Sequence, residues 1–202
     1  CQVEQLDKCR WAVTCVGGAP LRLRYEIYAF DTSVRAAFLD ARRAFFNGTS
    51  VFLRVEGREH QPHGLRSGQL PRRCGVATAT PSAAGRHRDL CADYAEPVAH
   101  PVEMGPLWRG QFKLRGVPHE LVVAGAWPSF DADRLLHEVQ RICATQMAFW
   151  HGPRGKPPMP RYVFMLNSVE EGYGGLEHRA STALISARRH LPRRGVANAG
   201  DG

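Results

Sequence analysis

The hydrophobic period changes near residue 127, and no other feature restricts the fold of this chain as strongly. Before that point the apolar residues alternate. RWAVTCV (10–16) and LRLRYEIYAF (21–30) are apolar at every second position over a strand's length, with turn chemistry in Val-Gly-Gly-Ala-Pro (16–20) between them. They read as a β-hairpin. SVFLRVEG (50–57) reads as another strand, with a turn at Asn47-Gly48 before it. DTSVRAAFLDARRAFF (31–46) fits two readings, since Val34, Phe38, Ala41 and Phe45 suit a helix while SVRAAFL also suits an extended chain. Residues 57–100 are rich in Gly, Pro, His and Arg, with GVATATP (75–81) as a short strand candidate. GQFKLRG (110–116) and HELVVAG (119–125) make a second hairpin around Gly116-Val117-Pro118.

After residue 127 the spacing becomes helical. SFDADRLLHEVQRICATQMAFWHG (129–152) is apolar at 135, 136, 139, 142, 143, 147 and 150, which makes a buried stripe. Ser129 or Asp131 suits its N-cap and Gly152 its C-terminal end. RYVFMLN (161–167) is then a strongly apolar strand. The pattern divides the chain into a β-rich part, 1–127, and a second part, 128–202. The second part offers a helix, one strand and a short edge strand, too little to bury a core alone. It is therefore expected to be the beginning of something larger.

Composition narrows the function classes. At 44% hydrophobic and 23% charged the chain is ordinary for a globular protein. No apolar run approaches the ~20 residues that span a bilayer, so no membrane partner is expected. The net charge of +8 is carried almost wholly by arginine, with Lys8, Lys113 and Lys156 the only lysines. From Arg179 onward five arginines face one acid, Asp201, and no aromatic follows Tyr173. Nucleic-acid grooves interleave basic and aromatic residues, so nucleic acid is not an expected partner. The six cysteines form no C-x-x-C pair. They read as thiols rather than a zinc ribbon or a disulfide framework, which favours a reducing, cytoplasmic compartment.

Most catalytic signatures are missing. A zinc-binding H-E-x-x-H needs two histidines one helical turn apart. His119-Glu120 is followed by Val123 at the required position, and His137-Glu138 by Arg141. His60-x-x-His63 lies in a Gly/Pro-rich loop, and no G-x-S-x-G elbow occurs. Asn47-Gly48-Thr49 is formally a glycosylation sequon and reads better as a turn.

GYGGLEH (172–178) stands apart from these. One reading is a hairpin turn with a solvated Glu177 and His178. The other is an edge strand whose glycines let a ligand's backbone pair closely. Glu177 at its end would then hold a positively charged amine, as needed to grip the free N-terminus of a peptide.

EGYGGLEHRAST (171–182) resembles the GGLEH segment of the glycyl aminopeptidase family, thermolysin-like zinc metallopeptidases that often carry a PDZ domain. YAFDTSVRAAFLD (28–40), RAFFNGTSVFLRVEG (43–57), GVATATP (75–81), DYAEPVAHPVEMG (93–105) and LPRR (191–194) resemble the same family in the same order. The resemblance covers essentially the whole chain. It implies an α+β fold, a β-rich N-terminal sheet or sandwich domain lacking its first strands, followed by the incomplete start of a thermolysin-like catalytic domain.

In related gluzincin aminopeptidases a G-x-M-E-N strand lines the substrate cleft, and Gly174, Gly175, Leu176, Glu177 and His178 fall on that pattern. The resemblance assigns peptide backbone binding to the glycines and α-amine capture to Glu177. His178 stands where the related motif has asparagine, which leaves its role open. The family's H-E-x-x-H follows a segment like LPRRGVANAGDG, so the zinc ligands and general base are expected beyond Gly202, and any PDZ domain later still. The expectation is a peptide substrate with a free N-terminus, zinc in the longer protein, and neither catalytic zinc nor peptide cleavage in these 202 residues alone. A scaffold that lost its zinc site and serves as a non-catalytic peptide- or partner-binding module is the alternative. Oligomeric state is left open.

Overall fold

The computed structural model describes residues 1–18, 20–66, 68, 74–80 and 88–195. The end of the LPRRGVANAGDG segment, Ala19 of the first expected turn and Pro81 of GVATATP lie outside the described residues. In chain order the elements are β1 (Gln2–Gln5), β2 (Trp11–Thr14), β3 (Ala37–Leu39), β4 (Ala44–Phe46), α1 (Gly48–Val51), β5 (His63–Arg66), β6 (Gly75–Ala77), β7 (Arg88–Cys91), α2 (Ala95–Val98) and β8 (Val102–Gly105). They continue with β9 (Trp108–Leu114), β10 (Val117–Ala124), α3 (Ala132–His151), β11 (Tyr162–Val169), β12 (Tyr173–Glu177) and β13 (Ser181–Ala187), then a 3-10 turn at Arg188–His190. The result is β-rich, with several sheets and one long helix.

The first hairpin is not the expected one. β2 pairs with β1, Gln2 opposite Thr14, and 21–29 carries no strand. Leu21, Leu23, Tyr25, Ile27 and Tyr28 are exposed, and only Phe30 makes a bridge, to Phe38. Alternation marks a segment able to extend; whether it becomes a strand depends on a partner edge. The β1–β2 register also brings Cys1 opposite Cys15, Cα atoms 4.3 Å apart, and they form a disulfide. That corrects the thiol reading for this pair. SVFLRVEG likewise is not a strand: Gly48–Val51 is a single helical turn and no ladder follows it.

The ambiguous 31–46 segment is extended. β3 and β4 pair antiparallel around a turn in which Asp40 Oδ1 accepts the N–H groups of Arg42 (2.7 Å) and Arg43 (2.6 Å). These strands belong to a four-stranded sheet of order β3-β4-β8-β6. Arg43, in that turn, donates two 2.7 Å hydrogen bonds to Glu103 of β8, a carboxylate that is only 2% exposed.

The hairpin of β9 and β10 turns at Arg115-Gly116, both at positive φ (48° and 84°), the geometry of a two-residue primed turn. By sequence it was grouped with 1–127. Its strand β10 instead pairs in parallel with β11, so the hairpin is built into the second sheet, whose order is β12-β13-β11-β10-β9. The sheets change over between Gly105 and Trp108. β13 is the strand that period alone did not reveal. With it, the 108–187 segment forms a five-stranded mixed sheet rather than an isolated helix and strand.

That sheet has two covered faces because alternate residues point to opposite sides. Leu121, Val123, Phe164 and Leu166 pack under α3 with Leu135, Leu136 and Val139. Val122, Val163 and Met165 pack against Ala77 and Ala79 of the first part. Asp131 caps α3 by accepting Arg134 N–H at 3.1 Å, and Gly152 closes it at φ 70°. Arg115 donates to the carbonyls of Met147, Gly152 and Gly155, tying the β9–β10 turn to the helix end. The expected stripe is only partly buried: Met147 is covered, whereas Ile142 and Trp150 are 60% and 72% exposed. The stripe is wider than the sheet surface beneath it.

Candidate substrate-binding edge strand

β12 is the edge of the five-stranded sheet, antiparallel to β13, with Gly174 opposite Ile185, Gly175 opposite Leu184 and Glu177 opposite Thr182. His178 N–H donates to Ser181 O at 2.8 Å, closing the turn through Arg179-Ala180. Hydrogen-bonded and non-bonded pairs alternate along an antiparallel ladder. The bonded pairs are therefore 178:181, 176:183 and 174:185. The N–H and C=O groups of Gly175 and Glu177 point off the sheet toward the free edge. An extended ligand can add there as a further strand.

The two glycines differ. A Cβ on Gly175 would sit 3.2 Å from Leu184 Cδ2 and 3.3 Å from Glu177 Oε1, tight contacts inside the protein. A Cβ on Gly174 would meet nothing within 4 Å. Gly174 also lies outside the positive-φ residues. Neither a close contact nor a positive φ within the described residues requires a glycine there.

Leu176 and His178 share the opposite face from Glu177. Leu176 packs with Val34, Phe45, Ala183 and Ile185 in a core that joins the two parts. His178 is half-buried. Its Nε2 lies 2.9 Å from Asn47 Oδ1, and its Nδ1 lies 3.0 Å from Leu176 O. Burial lowers its pKa below the ordinary value, opposed by the Leu176 carbonyl and the Glu177 charge.

Glu177 is exposed and makes no hydrogen bond or ion pair among the described residues. The neighbouring acids are neutralised: Glu170 pairs with Arg188 at 3.0 Å and Glu171 with Arg189. Of Glu170, Glu171 and Glu177, only the one on the edge strand has no cation among the described residues. The Glu177 charge reaches Tyr162, whose pKa is pushed up to about 12, mainly by burial and further by Cys143 and Glu177.

The remaining sequence candidates are structural. His119 is 3% exposed and stacks on Phe112 at 4.9 Å. Glu120 receives Arg109 and Arg161, and Arg109 also donates to Val76 O, so this cluster joins the two sheets. Glu138 pairs with Arg134, and His63 Nδ1 lies 2.6 Å from Gln61 O. Among the described residues no three His, Cys, Asp or Glu side chains gather as a metal would require. Sequence reading missed Asn47. The only signal was that RAFFNGTS stands among the segments of the resemblance, and a turn explained it locally.

A family model, Peptidase M61 N-terminal domain, matches residues 1–106. Among solved structures, an aminopeptidase N family protein from Idiomarina loihiensis is 33% identical over 86% of this chain, with a TM-score of 0.78. This chain spans 30% of that protein's length. An M1 zinc metallopeptidase from Deinococcus radiodurans is 16% identical over 79% of this chain and 39% of its own, with a TM-score of 0.44. No curated protein sequence matches.

Proposed function

This chain belongs to the Peptidase M61 N-terminal domain family, and from that premise we propose that it is one part of a longer zinc aminopeptidase and supplies the strand that holds the substrate. The observation that carries the reading is β12 itself. Among the described residues it is a free sheet edge with outward backbone groups, an open glycine at 174 and an unpaired carboxylate at 177. A peptide lying along this edge would pair with Gly175 and Glu177 and place its ammonium group at the Glu177 carboxylate. Leu176 and His178 anchor the strand, and His178 acts on neither substrate nor water. The N-terminal domain ends at the sheet changeover near residue 106, and 108–195 opens a thermolysin-like catalytic domain.

Zinc would polarise the scissile carbonyl and activate water in such an enzyme. The described residues do not fit a zinc centre, so no step is assigned to the metal here. What these residues do is bind and orient. Glycine or another small residue is the expected N-terminal residue.

The test compares a glycyl peptide with its N-acetylated form as ligands of the full-length protein. Glu177→Gln should weaken the free-amine peptide roughly 10- to 100-fold, the range of a hydrogen bond to a charged group. The acetylated peptide should change little. Equal losses for both peptides would remove Glu177 from amine binding.

A further inference from the structure

We propose that Asn47, in the first part of the chain, is a positioning residue for the substrate-holding strand, acting on Glu177 through the His178 imidazole. The proposal rests on the amine-binding reading of Glu177.

Asn47 is 2% exposed and its orientation is fixed from three sides. Its backbone N–H donates to Ala36 O at 3.2 Å, and its side-chain Nδ2 donates to Val34 O at 2.5 Å. With Nδ2 committed to a carbonyl, Oδ1 is the atom facing His178. The imidazole must therefore carry its proton on Nε2 and donate it to Asn47 Oδ1 across 2.9 Å. Nδ1, left without a proton, lies 3.0 Å from the Leu176 carbonyl and makes no hydrogen bond to it, so the one bond of the neutral ring runs from the strand to Asn47 in the first part of the chain.

The consequence falls on Glu177. Its own side chain has no partner among the described residues, so only its backbone fixes where the carboxylate stands. That backbone is held on both sides. Leu176 packs against Phe45 and Val34, and His178 is bonded to Asn47. Both anchors come from the β3–β4 region, 131 residues away from His178 in the case of Asn47. Without the Asn47 bond, the end of β12 must be ordered when substrate binds, and binding is weakened rather than the chemical step. Asn47 stands directly before the helical turn Gly48–Val51. A Cβ on Gly48 would lie 2.6 Å from Pro97 O, so the chain passes close against α2 there.

The experiment uses the full-length protein, a free-amine aminoacyl p-nitroanilide, and the variants Asn47→Ala, His178→Gln and the double variant. Each single variant should raise KM about five- to tenfold, the worth of one hydrogen bond, with kcat within about twofold. The double variant should be no worse than the worse single one. Selective 15N labelling of histidine should show a His178 Nε2–H tautomer that Asn47→Ala abolishes. Additive KM effects, a loss confined to kcat, or an unchanged KM in folded Asn47 variants would overturn the proposal. Glu177→Gln run alongside separates the causes: if it leaves KM unchanged, the amine reading itself fails; if it raises KM while Asn47→Ala does not, positioning alone fails.

Discussion

Gly174→Val offers a way to separate what the fold needs from what a ligand needs. The Cβ of a residue at 174 meets nothing within 4 Å, so the first added atom costs no internal clash. Valine is favoured over glycine in a strand by up to about 1 kcal/mol, and replacing glycine stiffens the unfolded chain by a further few tenths. The variant should therefore be as stable as the parent or more stable, by about 1 kcal/mol in urea denaturation. Binding should move the other way. Gly174 bonds toward β13, so against a strand added on the free side it forms a non-bonded pair, in which Cα atoms approach to about 4.5 Å. Side chains are closest in such pairs, and a valine would fill space the ligand occupies. We expect the affinity for a free-amine peptide to fall at least about tenfold, more for bulky residues opposite 174 than for glycine. Gly175→Val is the contrasting control, because its Cβ meets Leu184 and Glu177 at 3.2 and 3.3 Å and stability itself should suffer. Unchanged affinity in a stable Gly174→Val protein, for small and large ligand residues alike, would refute the placement of a peptide along this edge.

Two further outcomes follow from buried charge. Arg43→Met leaves Glu103 buried without its two hydrogen bonds, and stability should drop by about 3 kcal/mol or more, with much of it recovered by adding Glu103→Leu; a loss under about 1 kcal/mol in urea would contradict the pairing. Burial holds the pKa values of His100, His119 and His178 below the ordinary 6.5. Between the folded values and 6.5 the unfolded chain binds more protons, so stability is full above pH 6.5 and is lost as pH falls below it. Tm should decline from pH 7.5 to 5.5, and His100→Asn should remove part of that slope; a flat Tm would show these rings are not buried as neutral groups.

Local chemistry was legible in the sequence wherever the fold could be decided within a few residues. Asp131 and Gly152 bound α3 as expected, because a cap needs only its own turn. The β9–β10 hairpin forms, but its turn is Arg115-Gly116, both at positive φ, and Val117 and Pro118 of the expected Gly116-Val117-Pro118 turn are already paired in β10. The alternating segment 21–30 pairs only at its end, where Phe30 bridges to Phe38, because the same pattern serves any extended chain and 21–29 meets no ladder among the described residues. GYGGLE could be seen as a strand with glycines and an acid, and its two readings could not be separated without knowing what lay beside it.

The sequence alone determined the periods, the caps, the turns and the resemblance to a peptidase family. Tertiary structure decided the partners: that, among the described residues, β13 covers one edge of β12 and none covers the other, that Glu177 has no cation there while Glu170 and Glu171 do, and that Asn47 meets His178. The division has a physical origin. Backbone conformation is set by neighbours along the chain. Pairing and charge compensation are set by whatever the folded chain brings alongside, and Asn47 and His178 are brought together across 131 residues.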